Sequence, residues 1–295
     1  MSELVNINGE LFAPAEARIS VFDRGFLLAD SVYEVIRTYR AIPFMLEQHL
    51  QRLRKSAEGL AMRAIVDGLP LADEVRRTVA AAGLPESYIR VIVTRGAGLI
   101  GLDPRLAGAP TMVIIVTELR SYPDEMYQRG VNVALVGAEQ RLRGAGGSAI
   151  KAGNYLLNMM ALHDALRRGA EDGVMVGPDG YLTEGTTSNV FAVIDGRLVT
   201  PPLAAGILAG ITRSLVLQLA AHAHVHVVEE EIEASKLFAA AEAFLTSTIR
   251  EVLPVSSCDG RPIGSVVPGP MTRLLANALR RMVQMPLRYP DAELS

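Results

Sequence analysis

Between Val174 and Thr200 the chain doubles back twice, in VMVGPDGYLTEG and VFAVIDGRLVT. Pro178-Asp179-Gly180 and Asp195-Gly196 supply the fixed φ and the left-handed conformations that tight reversals need, and the apolar runs around them read as strands. Hairpins in series, clustered between separate helices, argue for an α+β fold rather than a repeating βαβ pattern.

The remaining segments fit that class. LVNINGELF places Asn8-Gly9 at a hairpin turn, SVYEVIRTYR (31–40) alternates as a strand, and Leu46, Leu50, Leu53, Ala57 and Leu60 recur at helical spacing. YIRVIVTRG and TMVIIVTEL read as further strands. RSYPDEMYQRG (120–130) is polar, contains a proline and lacks apolar period, so it is expected to link a smaller N-terminal α+β domain (1–119) to a larger C-terminal one (131–295) that carries Lys151. In the second domain VNVALVG is a strand, and Asn154 is placed to cap a helix bearing Tyr155, Leu156, Met159, Met160 and Leu166. GITRSLVLQLAAHA is a helix entered from Gly210, and AEAFLTST is a late strand.

At 295 residues and 49 % apolar composition the chain is long enough for two cores. Its net charge of −3 and scattered arginines leave no basic stripe for nucleic acid, so small metabolites are the expected partners. One cysteine, an N-terminal segment without signal-peptide character and no long apolar run give a soluble, cytoplasmic expectation with no membrane contact.

Only three lysines occur. Lys55 and Lys236 have charged neighbours, whereas Lys151 lies among small and apolar residues in GGSAIKAGNYLLNMMAL. Such an amine either snorkels from its loop or has a depressed pKa that makes it a nucleophile. GAGLIG (96–101) matches a dinucleotide fingerprint but is followed by Pro104 and Pro110 where that motif needs a helix. Gly144, Gly146 and Gly147 lack the G-K-[ST] of a P-loop, and His222, His224 and His226 have no further ligand to complete a metal set, so no metal is expected. Glu184 stands at a strand end. The helix start at Ile211 and Thr212 and the turn at Thr246, Ser247 and Thr248 offer backbone amides to an anion. Lysine, carboxylate, arginine and two phosphate-type nests are the parts that pyridoxal phosphate requires.

With FDRGF at 22, HLQRL at 49, YIR at 88, KAGNYL at 151, EGTTSNVF at 184, GILAGITR at 206 and LTSTIREVLPV at 245, the chain resembles the class IV aminotransferases of the fold type IV pyridoxal-phosphate enzymes. That group includes branched-chain aminotransferases, D-amino-acid aminotransferases and aminodeoxychorismate lyase. The resemblance implies two α+β domains with the cofactor at their interface, and a homodimer whose active sites borrow residues across the subunit boundary.

It also implies residue roles. Lys151 would join the cofactor's aldehyde carbon and move a proton between the substrate's α-carbon and C4′. Glu184 would face the pyridine nitrogen, Arg52, Ile211, Thr212 and Thr248 would hold the phosphate, Tyr155 would bond O3′, and Leu208 would pack on the ring. For the substrate the resemblance points to Tyr33, Tyr88, Arg90, Thr248 and Ile249. Tyr155, YIR and RGAGLIGLDP look like branched-chain enzymes acting on aliphatic L-amino acids with 2-oxoglutarate as acceptor; VYEV, TTSN and TSTIRE look more like D-amino-acid enzymes. The Arg-x-His pair of many D-specific relatives is missing after TRG. Arg250 stands where branched-chain enzymes have a small residue, and reads either as an outward turn residue or as a carboxylate contact. A lyase of the aminodeoxychorismate type is the alternative reaction.

Overall fold

The computed structural model describes residues 2–137 and 149–289. Gly144, Gly146 and Gly147, weighed above as a P-loop, lie outside the described residues. The chain divides into two units, Met1–Arg120 with Ile150–Tyr155, and Ser121–Ala149 with Leu156–Ser295.

In the first unit six strands form one sheet: β1 (Leu4–Ile7), β2 (Glu10–Phe12), β3 (Ser31–Tyr39), β4 (Ile42–Pro43), β5 (Ser87–Thr94) and β6 (Thr111–Glu118). Their order is β2-β1-β6-β5-β3-β4, and every neighbouring pair is antiparallel. The predicted first hairpin is there. Asn8 and Gly9 turn it with φ of 51° and 92°, the left-handed pair that a two-residue turn requires.

Four helices belong to this unit: α1 (Arg24–Leu28), α2 (Leu46–Gly59), α3 (Arg63–Asp67) and α4 (Leu71–Ala82). The apolar stripe Leu46, Leu50, Leu53 and Ala57 of α2 is buried in one core with Val32 and Ile36 of β3 and Ile89, Val91 and Val93 of β5. Alternation along β5 therefore sends Tyr88, Arg90 and Ile92 to the opposite face. Asp23 caps α1 and also accepts hydrogen bonds from Thr94 and Thr111 at 2.9 and 2.7 Å. Arg24 binds Asp30 at 3.1 Å and reaches the carbonyls of Gly101 and Leu102. The FDRGF motif is thus the anchor of the GAGLIG loop, which continues into one 3₁₀ turn (Pro104–Leu106) and no α-helix.

The second unit begins with α5 (Asp124–Arg129), inside the stretch expected to be the interdomain linker. With under two turns and a single buried apolar ring, Tyr127, this helix shows no period that a sequence reading can detect. Nine strands follow: β7 (Val131–Gly137), β8 (Asp172–Val176), β9 (Leu182–Gly185), β10 (Asn189–Ile194), β11 (Arg197–Thr200), β12 (Val227–Glu229), β13 (Glu242–Ser247), β14 (Glu251–Cys258) and β15 (Arg261–Pro262). They order as β12-β11-β10-β13-β14-β7-β8-β9, with β15 beside β14. The hairpins β8–β9 and β10–β11 are antiparallel as expected. Two crossovers go beyond what the spacing predicts. Here α6 (Leu156–Arg167) joins the parallel β7 and β8, and α7 (Ile211–His222) joins the parallel β11 and β12. A final helix, α8 (Pro270–Met282), completes the unit.

Two expectations are corrected here. The segment carrying Lys151 packs with the first unit, because Ala152 bridges Val32 and the Tyr33 N–H donates to the Lys151 carbonyl at 3.1 Å. On α6, Leu156, Met159, Met160 and Leu166 are exposed, while Asn158, Ala161 and Ala165 are buried. The small side chains let the helix approach β7 and β8, so its apolar stripe faces outward.

Candidate active site

Each unit holds some of the sequence-predicted residues. In the first, residues 151–153 add to the edge of β3: besides the Val32–Ala152 bridge, the Gly153 N–H donates to the Ser31 carbonyl at 2.9 Å. From α2, the Ser56 hydroxyl accepts from the Lys151 N–H at 3.1 Å. The backbone of the lysine is therefore fixed by strand and helix together. Its side chain is 8 % exposed, with Nζ 3.5 Å from the Tyr33 hydroxyl and 4.4 and 5.5 Å from the centroids of the Tyr33 and Tyr155 rings. The two rings meet edge to face at 5.6 Å. Burial, reinforced by Tyr155, pushes the Tyr33 phenol well above its ordinary range, so it remains an O–H at neutral pH. Arg90 lies over the same ring, 4.2 Å from its centroid. Tyr88, two residues away on β5, shares the Arg90 face of the sheet.

On the other face of β3, Glu34 is fully buried among apolar residues. Arg52 of α2 grips it with a fork, Nε to one carboxylate oxygen and Nη2 to the other, both at 2.7 Å, and His49 Nδ1 lies 2.7 Å from Oε2. Burial by itself would raise the Glu34 pKa, but Arg52 and His49 outweigh it and bring it down to about 2. Burial lowers the pKa of His49, and the ring stays neutral. Sequence reading placed Arg52 and His49 on one stripe and missed Glu34. A signal was present, since a carboxylate at an inward position of an apolar strand needs a buried cation.

In the second unit Glu184 ends β9 and is 4 % exposed. Its Oε2 accepts from Asn189 Nδ2 and from the Leu208 N–H, each at 3.1 Å, and Asn189 also donates to the Leu208 carbonyl at 3.0 Å. Asn189, absent from the sequence-derived set, thus ties the carboxylate to the segment leading into α7. Gly210 caps that helix, and a Cβ there would lie 1.9 Å from Asn189 Oδ1. Only glycine permits the approach. Ile211 and Thr212 are the first residues of α7, where backbone N–H groups point out of the helix end. Thr248 and Ile249 occupy the turn between β13 and β14, next to β10 through the Asn189–Thr246 pairing.

Arg250 closes that turn and points inward. It is 6 % exposed, with Nη2 2.9 Å from Asp172 and Nη1 donating to Thr187 at 2.7 Å, so the outward reading is overturned. The three histidines share no strand face: His222 ends α7 and His224 sits in a turn at positive φ.

Taken by itself, the buried amine of the first unit suits an aldehyde, and in the second unit the carboxylate and the amides at a helix start suit a protonated ring nitrogen and a phosphate. Residues 31–258 match the model of the amino-transferase class IV family. A provisionally named branched-chain-amino-acid aminotransferase of Methanocaldococcus jannaschii is 36 % identical over 92 % of this chain and 93 % of its own length. The D-alanine aminotransferase of Bacillus licheniformis is 34 % identical over 95 % and 96 %. Among solved structures, a T.th. branched-chain amino acid aminotransferase complexed with N-(5′-phosphopyridoxyl)-L-glutamate aligns with a TM-score of 0.83 at 28 % identity, covering 97 % of this chain and 95 % of that one. A family match over most of the sequence and identity above 30 % along nearly its full length place this chain among the class IV aminotransferases.

Proposed function

We propose that the enzyme is a pyridoxal-phosphate-dependent transaminase that moves an amino group between aliphatic L-amino acids and a 2-oxo acid such as 2-oxoglutarate. The observation that carries this reading is Lys151: a buried amine against two tyrosine rings, on a backbone pinned by β3 and α2. When bound, the cofactor supplies the carbonyl carbon that takes the amino group and a ring that withdraws electrons from the substrate's α-carbon. Lys151 moves the proton between that α-carbon and C4′. Glu184 keeps the ring nitrogen protonated, and Asn189 and the Leu208 N–H hold the carboxylate in place for it. Leu208 packs on the ring and Tyr155 bonds O3′. Arg52, oriented by Glu34, joins the Ile211, Thr212 and Thr248 amides at the phosphate.

The Thr248 and Ile249 amides meet the substrate's α-carboxylate. Tyr88 and Arg90 serve the side-chain end, where a guanidinium pairs with the distal carboxylate of 2-oxoglutarate. The branched-chain relative and the glutamate adduct of the structural neighbour support the L-assignment. Tyr33 beside Lys151 and the D-alanine aminotransferase relative favour D-amino acids as the second reading.

A homodimer belongs to the same proposal. Phe26, Leu99, Ile100 and Leu102 in the first unit, and Leu156, Met159 and Met160 in the second, are apolar side chains at least half exposed, the material of a subunit interface. A single cysteine suits a reducing, cytoplasmic setting, and no helix among the described residues is long and apolar enough to cross a membrane.

The test is borohydride reduction of the yellow holoenzyme followed by peptide mapping, with turnover of L-leucine and D-alanine measured in parallel. A pyridoxyl group on Lys151 is expected; one on Lys55 or Lys236 refutes the assignment. Faster turnover of D-alanine would promote the second reading, and failure of an amino donor to leave the cofactor in its amine form would promote the lyase.

A further inference from the structure

Resting on that function, we propose that Arg250 is a positioning residue. Its guanidinium, clamped on Asp172 and Thr187, holds the Thr248–Ile249 turn in register with the strand end that carries Glu184. Three elements meet at this side chain. The turn between β13 and β14 supplies Arg250 itself, Asp172 opens β8, and Thr187 lies in the loop that leads from Glu184 to Asn189. Asp172 is in turn fixed by the Thr186 hydroxyl at 2.5 Å and the Gly173 N–H at 2.8 Å, both donating to Oδ1. The Arg250 backbone is bound as well: Tyr127 of α5 donates to its carbonyl at 3.0 Å, and its N–H donates to the Ser247 hydroxyl at 3.3 Å.

Both charges are nearly excluded from water, at 6 % and 2 % exposure. A buried ion pair is a poor source of stability compared with apolar side chains of the same volume, because desolvation offsets the attraction. What it supplies is geometry. A planar guanidinium ion-paired at 2.9 Å with one strand and hydrogen-bonded at 2.7 Å to a second segment lets the turn drift only by breaking a charged contact. The amides proposed to receive the substrate's carboxylate sit in that turn, and Glu184 is followed directly by Gly185, with Thr187 three positions on. Losing the clamp should loosen anion capture while sparing proton transfer at Lys151, which lies on a separate element of the first unit.

The experiment compares holoenzyme carrying Arg250→Met, Arg250→Lys, Asp172→Asn and the Arg250→Met/Asp172→Asn pair, with KM and kcat for 2-oxoglutarate and the rate of pyridoxal phosphate loss on dialysis. Arg250→Met and Asp172→Asn should each raise KM by about tenfold or more, the effect of one lost buried charge contact, with kcat within about threefold of wild type. The double variant should be no worse than Arg250→Met, since both remove the same contact. Arg250→Lys should fall between, because an ammonium reaches Asp172 without the fork. Wild-type KM in Asp172→Asn with a large rise in Arg250→Met would mean that Arg250 touches the substrate itself, and refutes positioning. Additive effects, or a fall in kcat at unchanged KM, also overturn it. Should Arg250→Met fail to fold, Asp172→Asn and Arg250→Lys decide. A wild type that binds no pyridoxal phosphate defeats the proposed function as well; a wild type that binds it, with variants that match it, defeats only this inference.

Discussion

The two units hold their buried carboxylates in opposite ways. Glu34 in the first is gripped by a guanidinium fork and a histidine ring, whereas Glu184 in the second is met by a side-chain amide and a backbone N–H. A carboxylate paired with a guanidinium has its charge already answered, which suits it to fixing the shape of α2 against β3. The two donors on Glu184 Oε2, Asn189 Nδ2 and the Leu208 N–H, carry no formal charge. Under the proposed function Glu34 braces the structure and Glu184 acts on the cofactor ring, so mutations at the two sites should fail in different ways.

The largest effect is expected at the proposed catalytic amine. Lys151→Ala should abolish turnover and remove the borohydride-fixable adduct without lowering the melting temperature appreciably, because the strand contacts of residues 151–153 are made by the backbone. Retained turnover, or an adduct elsewhere, would break the scheme.

Glu34→Ala comes next, as a loss of fold. Removing it leaves the buried Arg52 and His49 without their carboxylate, at a cost of about 3–5 kcal/mol by denaturant unfolding. The pH dependence follows with its sign. The folded pKa of Glu34, about 2, lies below its ordinary 4.5, so its stabilisation is complete above the ordinary value and is lost as pH falls toward 2. His49, whose pKa burial lowers, adds acid sensitivity that begins below its ordinary 6.5. Wild type should therefore lose stability between about pH 5 and 2 more steeply than Glu34→Gln. Parallel curves would show that Glu34 titrates normally.

Glu184→Gln should do the reverse, lowering turnover by about a hundredfold, or nearly 3 kcal/mol of barrier, with little change in melting temperature. A variant that turns over normally, or that unfolds like Glu34→Ala, would erase the distinction between the two carboxylates. The smallest effect is expected at Arg90→Ala, with KM for 2-oxoglutarate raised about tenfold, the worth of one charge-assisted pair, and KM for 4-methyl-2-oxopentanoate nearly unchanged. Equal effects on both acceptors would remove Arg90 from the recognition of the distal carboxylate.

By itself the sequence determined the elements whose pattern is local. The Asn8-Gly9 turn, the helical stripe from Leu46 and the hairpins at Asp179-Gly180 and Asp195-Gly196 are each specified by residues a few positions apart. It also marked Lys151, an amine in an apolar loop, and Glu184, a strand-end carboxylate that drew its weight from its companions rather than from its own position. Tertiary structure decided what depends on residues far apart in the chain. Lys151 joins the first unit through Ser56, which lies 95 positions away, and α5 stands on one buried ring rather than on a period. The stripe on α6 faces outward because alanines, not leucines, permit the close approach to β7 and β8. Arg250 shows the same limit most plainly. A turn beside it is legible, though expected at Thr246–Thr248 and found at 248–250, and only the fold brings Asp172 and Thr187 to Arg250, since burying a guanidinium requires a partner whose identity local sequence does not encode.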